Sequence, residues 1–254
     1  MVAWRRAGEP EAELRHETAR GLVRAILWLV LVAETFVSLQ GEGILAGIPS
    51  FFIRSSGCNL RCRWCDTPYT SWLPEGTRRP VTELAAEAAA AECRHVVVTG
   101  GEPLLQREIG SLTRALHAAR HHVTVETVGT VAPDFVCDLL SLSPKTANSD
   151  PSGPWQERHR RLRQRLDPAR RLLARFPEHQ VKLVVEDADD MPELLALLES
   201  LGPVSPERVL LMAQGRTAAE VAARAPVVAA LCLEHGFRYT PRLHLDLFGG
   251  ARGT

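Results

Sequence analysis

Strand-like and helix-like segments alternate along most of this 254-residue chain, which predicts an α/β fold built on a mainly parallel sheet. Two further observations support that class. The strand candidates are continuous apolar runs rather than alternating ones, as expected for strands covered on both faces. Several of them run directly into polar or glycine-bearing turns, the edge at which α/β proteins assemble their sites.

The strand candidates, in order, are residues 29–39, 50–55, 95–99, 122–127, 136–142, 180–185, 208–212 and 237–245, each rich in Val, Leu, Ile or Phe. Between them the spacing predicts helices at 81–92, where alanine-rich 85–91 is good helix former, and at 103–120, which Pro103 can open. Further helices are predicted at 155–176, 191–201 and 217–235. The turns that matter follow Thr99 (Gly100, Gly101), Thr127 (Gly129) and Leu142 (Ser143, Pro144, Lys145).

The patterned chain begins near residue 29, so residues 1–28 read as an appended extension and 29–254 as one domain. The apolar stretch at 22–33 has 12 residues, short of the roughly 20 that span a bilayer. Glu9, Glu11, Glu13 and Glu17 stand among the arginines ahead of it and no small-residue cleavage site follows, which argues against a signal peptide and for a cytoplasmic protein.

Thirty basic and 30 acidic residues cancel, so no global field draws the chain to nucleic acid or an anionic membrane, and a small-molecule partner is expected. Residues 155–175 carry eight arginines, but without interleaved aromatics they read as a solvated amphipathic helix. Only Lys145 and Lys182 are lysines. In a chain that otherwise writes its cations as arginine, Lys145 at a strand end points to a need for a compact charge, whereas mid-strand Lys182 fits either a pocket contact or a structural ion pair.

Of six cysteines, Cys93, Cys137 and Cys232 stand singly in apolar surroundings and read as small buried hydrophobes. Cys58, Cys62 and Cys65 are spaced CxxxCxxC in GCNLRCRWCDT, directly after a strand. Three thiolates on one loop can converge on one centre, and sulfur ligands select zinc, copper(I) or iron–sulfur clusters. A disulfide leaves one thiol odd, and structural zinc asks for a fourth Cys or His that no neighbour supplies with finger-like spacing. The second motif, VVVTGGEP at 96–103, offers two glycines for close approach and, in Glu102, an acceptor for an ammonium group.

The cysteine loop and the TGGEP turn resemble those of the radical S-adenosylmethionine (SAM) enzymes. That resemblance implies an open, partial β/α barrel of about six parallel strands. It also implies a [4Fe-4S] cluster on Cys58, Cys62 and Cys65, with SAM chelating the open iron and cleaved to a 5'-deoxyadenosyl radical. Gly101 and Glu102 would meet its methionyl amine.

More of the chain, from about residue 33 to 254, is similar to the 7-carboxy-7-deazaguanine synthase (QueE) family. The matching segments are ETFVSLQGEG (34–43), FFIRSSGC (51–58), CDT (65–67), TGGEP (99–103), ETVGT (126–130), SPK (143–145) and the closing RLHLDLFGGARGT. The resemblance implies conversion of 6-carboxy-5,6,7,8-tetrahydropterin to 7-carboxy-7-deazaguanine with loss of ammonia, with reusable SAM and Mg2+. Hydrogen abstraction at C6 would start the ring contraction.

On this reading Arg54 clamps the pterin carboxylate, while Leu39, Gln40, Gly41, Glu42, Thr99 and His244 complete the substrate site. Thr67 binds Mg2+. SAM is met by Trp64, Cys65, Asp66, Glu126, Ser143, Pro144, Lys145 and Gln214. Val128 stands where the family often has Asn, and Ala213 where Pro is common, so the ribose and adenine contacts near 212–215 are expected to differ. A flavodoxin- or ferredoxin-type reductant and a homodimer are also implied. The alternatives are another radical SAM enzyme, notably a glycyl-radical-enzyme activase, and a zinc-dependent binding module.

Overall fold

The computed structural model describes residues 28–254, so apart from Trp28 the expected N-terminal extension lies outside the described residues. Strand β1 (Leu29–Leu39) turns back through a short loop into β2 (Pro49–Ser55), and the two pair antiparallel with an irregularity between Val32 and Glu34. A short exposed strand, β3 (Thr77–Pro80), covers the other edge of β1. From β2 the sheet continues in parallel through β4 (His95–Gly100), β5 (His122–Thr127), β6 (Leu139–Leu142), β7 (His179–Val185), β8 (Val209–Ala213) and β9 (Arg238–Thr240). The sheet order is β3-β1-β2-β4-β5-β6-β7-β8-β9; its first and last members do not pair, so the barrel stays open as expected, with seven strands in the parallel run.

Helices α1 (Pro68–Ser71), α2 (Val81–Ala90), α3 (Ile109–Ala118), α4 (Gln156–Arg163), α5 (Asp167–Arg175), α6 (Met191–Leu201), α7 (Ala218–His235) and α8 (Leu243–Phe248) make the connections. Their apolar faces, through Leu84, Leu112, Leu116, Leu172, Leu194 and Val228, pack on Val96, Val98, Val125, Leu140 and Leu183 in one core. Each such side chain contributes roughly 1.5–3 kcal/mol when removed from water. Helix α7 starts where Thr217 and Glu220 form a reciprocal capping box. No helix among the described residues is long and apolar enough to cross a membrane.

Four expected elements differ, the first being the strand expected at 136–142, which begins only at Leu139. The helix expected at 103–120 is a single 3-10 turn at Pro103–Leu105 followed by α3. Gln106 between them takes an extended backbone, and its side chain accepts from Leu31 N and donates to Ser56 O, so tertiary bonds override helical continuity. The helix expected at 155–176 is divided into α4 and α5 because Pro168 fits only a first turn. The expected strand at 237–245 ends at Thr240, Pro241 follows, and the chain turns into α8.

Candidate active site

The carboxyl ends of β2, β4, β5, β6 and β7 and the loops that follow them surround a cavity of about 270 Å³. Cys58, Cys62 and Cys65 all line it, and all three are free thiols. Burial pushes the Cys58 and Cys62 thiols up to about 12, and it raises Cys65 as well. These sulfurs therefore lose their protons only to a metal centre or a comparable charge.

Among the described residues, the only Cys, His or carboxylate trio with ligand atoms all within 4.8 Å of one another is Glu42, Asp66 and His244. The three sulfurs are thus spread more widely than the roughly 3.8 Å that zinc–sulfur bonds of about 2.3 Å impose around one tetrahedral ion. That spread suits a multi-iron cluster and disfavours the zinc module.

The loop that carries these cysteines is held by backbone packing. At Gly101 a Cβ would come within 2.5 Å of Gly57 O and 2.6 Å of Thr70 O, and at Gly100, with φ +133°, within 2.1 Å of Ser55 O. The glycines expected to admit a ligand are needed first because the cysteine loop lies directly on them.

Glu102 is held by the same packing. The motif predicts an acceptor for an ammonium group there, but the carboxyl is fully buried, accepts from Leu104 N, Val128 N and Thr127 Oγ1, and is not on the cavity wall. Burial lifts this carboxyl to about 7 although three donors point at it. Its position makes it a brace between the ends of β4 and β5.

Most other expected residues reach the wall. Trp64, Asp66, Gly101, Ser143 and Lys145 line it, with Lys145 Nζ 2.7 Å from Ser143 Oγ and 5.4 Å from the Trp64 ring centre. Pro144 and Gln214 do not, since Pro144 is buried and Gln214 N is bonded to Val185 O. Leu39, Gln40, Gly41, Glu42, Arg54, Thr99 and His244 all line the cavity.

Glu126, expected beside SAM, lines the cavity too and bonds Gln40 Nε2, Thr99 Oγ1 and Lys182 Nζ, two of which are expected in the substrate site. Lys182, 3% exposed, also bonds Glu42 at 2.8 Å, so the lysine is at once a wall residue and an ion-pair centre. Desolvation raises the Glu42 carboxyl, yet Lys182, Arg242 and His244 outweigh it and hold the group below its ordinary range.

Sequence reasoning missed Glu34, Tyr69 and Arg242. Glu34 faces Arg54 across β1 and β2, and its Oε1 accepts from Arg54 Nε at 2.7 Å and from Tyr69 OH at 2.6 Å. Arg54 also lies over Phe36, which stacks on Phe52, so the guanidinium is held by a carboxylate on one side and a ring on another. Arg242 pairs with Asp66 and lies 3.5 Å from Glu42, so a guanidinium already serves both carboxylates of that trio. Only strand register and the return of α8 bring these partners together.

Thr67 lines the cavity at the N-cap of α1, but its hydroxyl makes no cap hydrogen bond. It accepts instead from Thr70 Oγ1 at 3.3 Å and lies 3.9 Å from Cys65 Sγ, and its remaining lone pair suits Mg2+, which keeps several waters and shares its octahedron with substrate oxygens.

The chain belongs to a defined class of radical enzymes, because the family profile described as the Radical SAM superfamily matches residues 52–210. Within that class it belongs to the 7-carboxy-7-deazaguanine synthase family. It is 43% identical to 7-carboxy-7-deazaguanine synthase of Rhodopirellula baltica, over 92% of this chain and 92% of that protein. It is 45% identical to the enzyme of the same name from Halobacterium salinarum, over 88% of this chain and 92% of that one. The crystal structure of QueE from Escherichia coli shares the fold, with a TM-score of 0.65 at 24% identity over 86% of this chain and 96% of that one. Membership of this class brings a [4Fe-4S] cluster and SAM as cofactors, and the family brings Mg2+.

Proposed function

We propose that the chain converts 6-carboxy-5,6,7,8-tetrahydropterin to 7-carboxy-7-deazaguanine with release of ammonia, with residues 29–254 as the catalytic domain. One observation carries the reading: a single cavity holds three free thiols, an anchored arginine and a lysine-bridged pair of carboxylates. Cys58, Cys62 and Cys65 would hold the cluster. When bound, the cluster and SAM supply a 5'-deoxyadenosyl radical for hydrogen abstraction.

The protein's own part is to bind and orient. Trp64, Asp66, Gly101, Ser143 and Lys145 would meet SAM, and Lys145 offers a point charge to its carboxylate. Arg54 gives its Nε–H to Glu34, which leaves its two terminal amino groups for the pterin carboxylate. Glu42 and Glu126, both tethered to Lys182, present acceptors to the N–H edge of the pyrimidine ring, with Gln40 and Thr99 beside them. His244, 3.9 Å from Glu42, closes that side. Thr67 would contribute its hydroxyl to Mg2+, fixing the substrate oxygens and offsetting charge that develops on them. A cytoplasmic homodimer fed by a flavodoxin- or ferredoxin-type reductant agrees with the sequence resemblance.

The test is anaerobic reconstitution with iron and sulfide, then reaction with SAM, Mg2+ and the carboxytetrahydropterin under chemical reduction. Mass spectrometry should find 7-carboxy-7-deazaguanine over many turnovers without net consumption of SAM. Cleavage of SAM with no deazaguanine would overturn the substrate assignment while leaving the radical SAM class intact.

A further inference from the structure

The turn between Cys58 and Cys62 depends on a side chain contributed from far along the sequence. Arg61 N donates to Nδ1 of His159 at 2.9 Å, and His159 is 1% exposed. A backbone amide can only donate, so Nδ1 is the acceptor and the neutral ring carries its proton on Nε2. Nε2 faces Ser149 Oγ at 3.0 Å, and Ser149 passes its own proton to Thr146 O at 2.6 Å. Both ring nitrogens are thereby satisfied and the tautomer is fixed.

The surroundings hold this arrangement in place. Asp150 lies 3.6 Å from Nε2 and is gripped by both sides of the Arg163 fork. The same segment reaches the cysteine loop three times more, where Arg63 N donates to Ser149 O and both Arg63 Nε and Trp64 Nε1 donate to Asn148 O. Arg61 itself turns back to Cys58 O and Leu60 O and covers Trp155. The arginine-rich helix α4 therefore has a buried role as well as a solvated face, since it carries the histidine that sets the cysteine loop.

We propose that His159 is a positioning residue for the iron–sulfur cluster. By accepting the Arg61 amide it fixes the turn that aims Cys58 and Cys62, and it keeps that N–H from donating to a cluster sulfur. Burial pushes the imidazole down to about 4, so the acceptor is present throughout the neutral range. Partners of this kind set both metal retention and cluster potential.

The test compares His159→Leu, which has no acceptor, with His159→Asn, whose amide oxygen can replace Nδ1. Each is reconstituted anaerobically, and iron release to an Fe2+-specific chelator and the electron paramagnetic resonance spectrum of the reduced cluster are recorded. The leucine variant should release iron about tenfold faster or more, with an altered spectrum. The asparagine variant should return both toward the parent. Parental release and spectrum in the leucine variant, or an asparagine variant no better than leucine, would overturn the proposal. If the leucine variant does not fold, Ser149→Ala decides: faster iron release supports the role and parental release refutes it. Cys62→Ala serves as the control, since a cluster retained there would indict the cysteine assignment and not His159.

Discussion

Replacing Lys182 with Met removes the one cation that bridges Glu42 and Glu126 at the floor of the cavity. Nζ lies 2.8 Å from Glu42 and 2.9 Å from Glu126, with the lysine 3% exposed. Removing one partner of a buried ion pair costs about 3–5 kcal/mol, because the remaining charge is left in a poorly solvating place. For a chain of this size roughly 2–4 °C accompanies each kcal/mol, so the apparent Tm should fall by roughly 6–20 °C.

The pH dependence gives the sign. In the parent, Glu42 is held below its ordinary range, so its stabilisation is complete above the unfolded value of about 4.3 and is lost only as pH falls below it. Without Lys182, only Arg242 and His244 oppose the desolvation of Glu42, so its carboxyl rises relative to the parent and protonation relieves part of the cost. The gap in Tm between variant and parent should therefore be wide near pH 7.5 and narrower near pH 5.5. Circular dichroism melts of the apoprotein at both values would measure it, and adding Glu42→Gln should recover part of the loss. A variant within about 2 °C of the parent at both values would refute the argument.

Other outcomes follow from the same geometry. Thr67→Ala should lower turnover and abolish its response to Mg2+ while leaving the cluster absorbance unchanged; an unchanged Mg2+ response would remove Thr67 from the metal site. Arg54→Lys keeps the charge but loses the fork held by Glu34, so KM for the pterin should rise about tenfold, a change of about 1.4 kcal/mol. Glu102, lifted to about 7 by burial, takes up a proton on folding, so it lowers apoprotein stability by ~3 kcal/mol as pH rises from about 4.5 through 7. Glu102→Gln should remove that slope in melts across the range. Iodoacetamide should label Cys58 and Cys62 of the apoprotein slowly near pH 8, since both thiols are raised to about 12, and fast labelling would show that the site is not preformed.

Much of this architecture was legible in the residues. The apolar runs at 29–39 and 122–127 are strands with those same ends, and the helix at 191–201 is reproduced residue for residue. Local preference yields where tertiary bonds prevail, as at Gln106, and the periodic pattern is broken by prolines, as at Pro168 and Pro241. β3 escaped notice because TRRP has no apolar run; it is a strand only because β1 offers it an edge.

The site shows the same division. Motif spacing places Cys58, Cys62, Cys65, Thr67 and Arg54 on one cavity wall. It could not show that Glu102 turns inward, because burial is a property of the assembled sheet. Glu34 opposite Arg54 needed the strand register, and His159 needed the path of a helix whose arginines suggested only solvent.

Arg242 ties Asp66, beside the last cysteine, to Gly215 O across 176 and 27 positions of sequence. A nascent polypeptide that has emerged only through β8 has every sulfur it needs but lacks this strut. Iron delivered before Arg242 has folded into place would meet an unfinished receptacle, so truncations that remove Arg242 should reveal themselves as iron-poor protein.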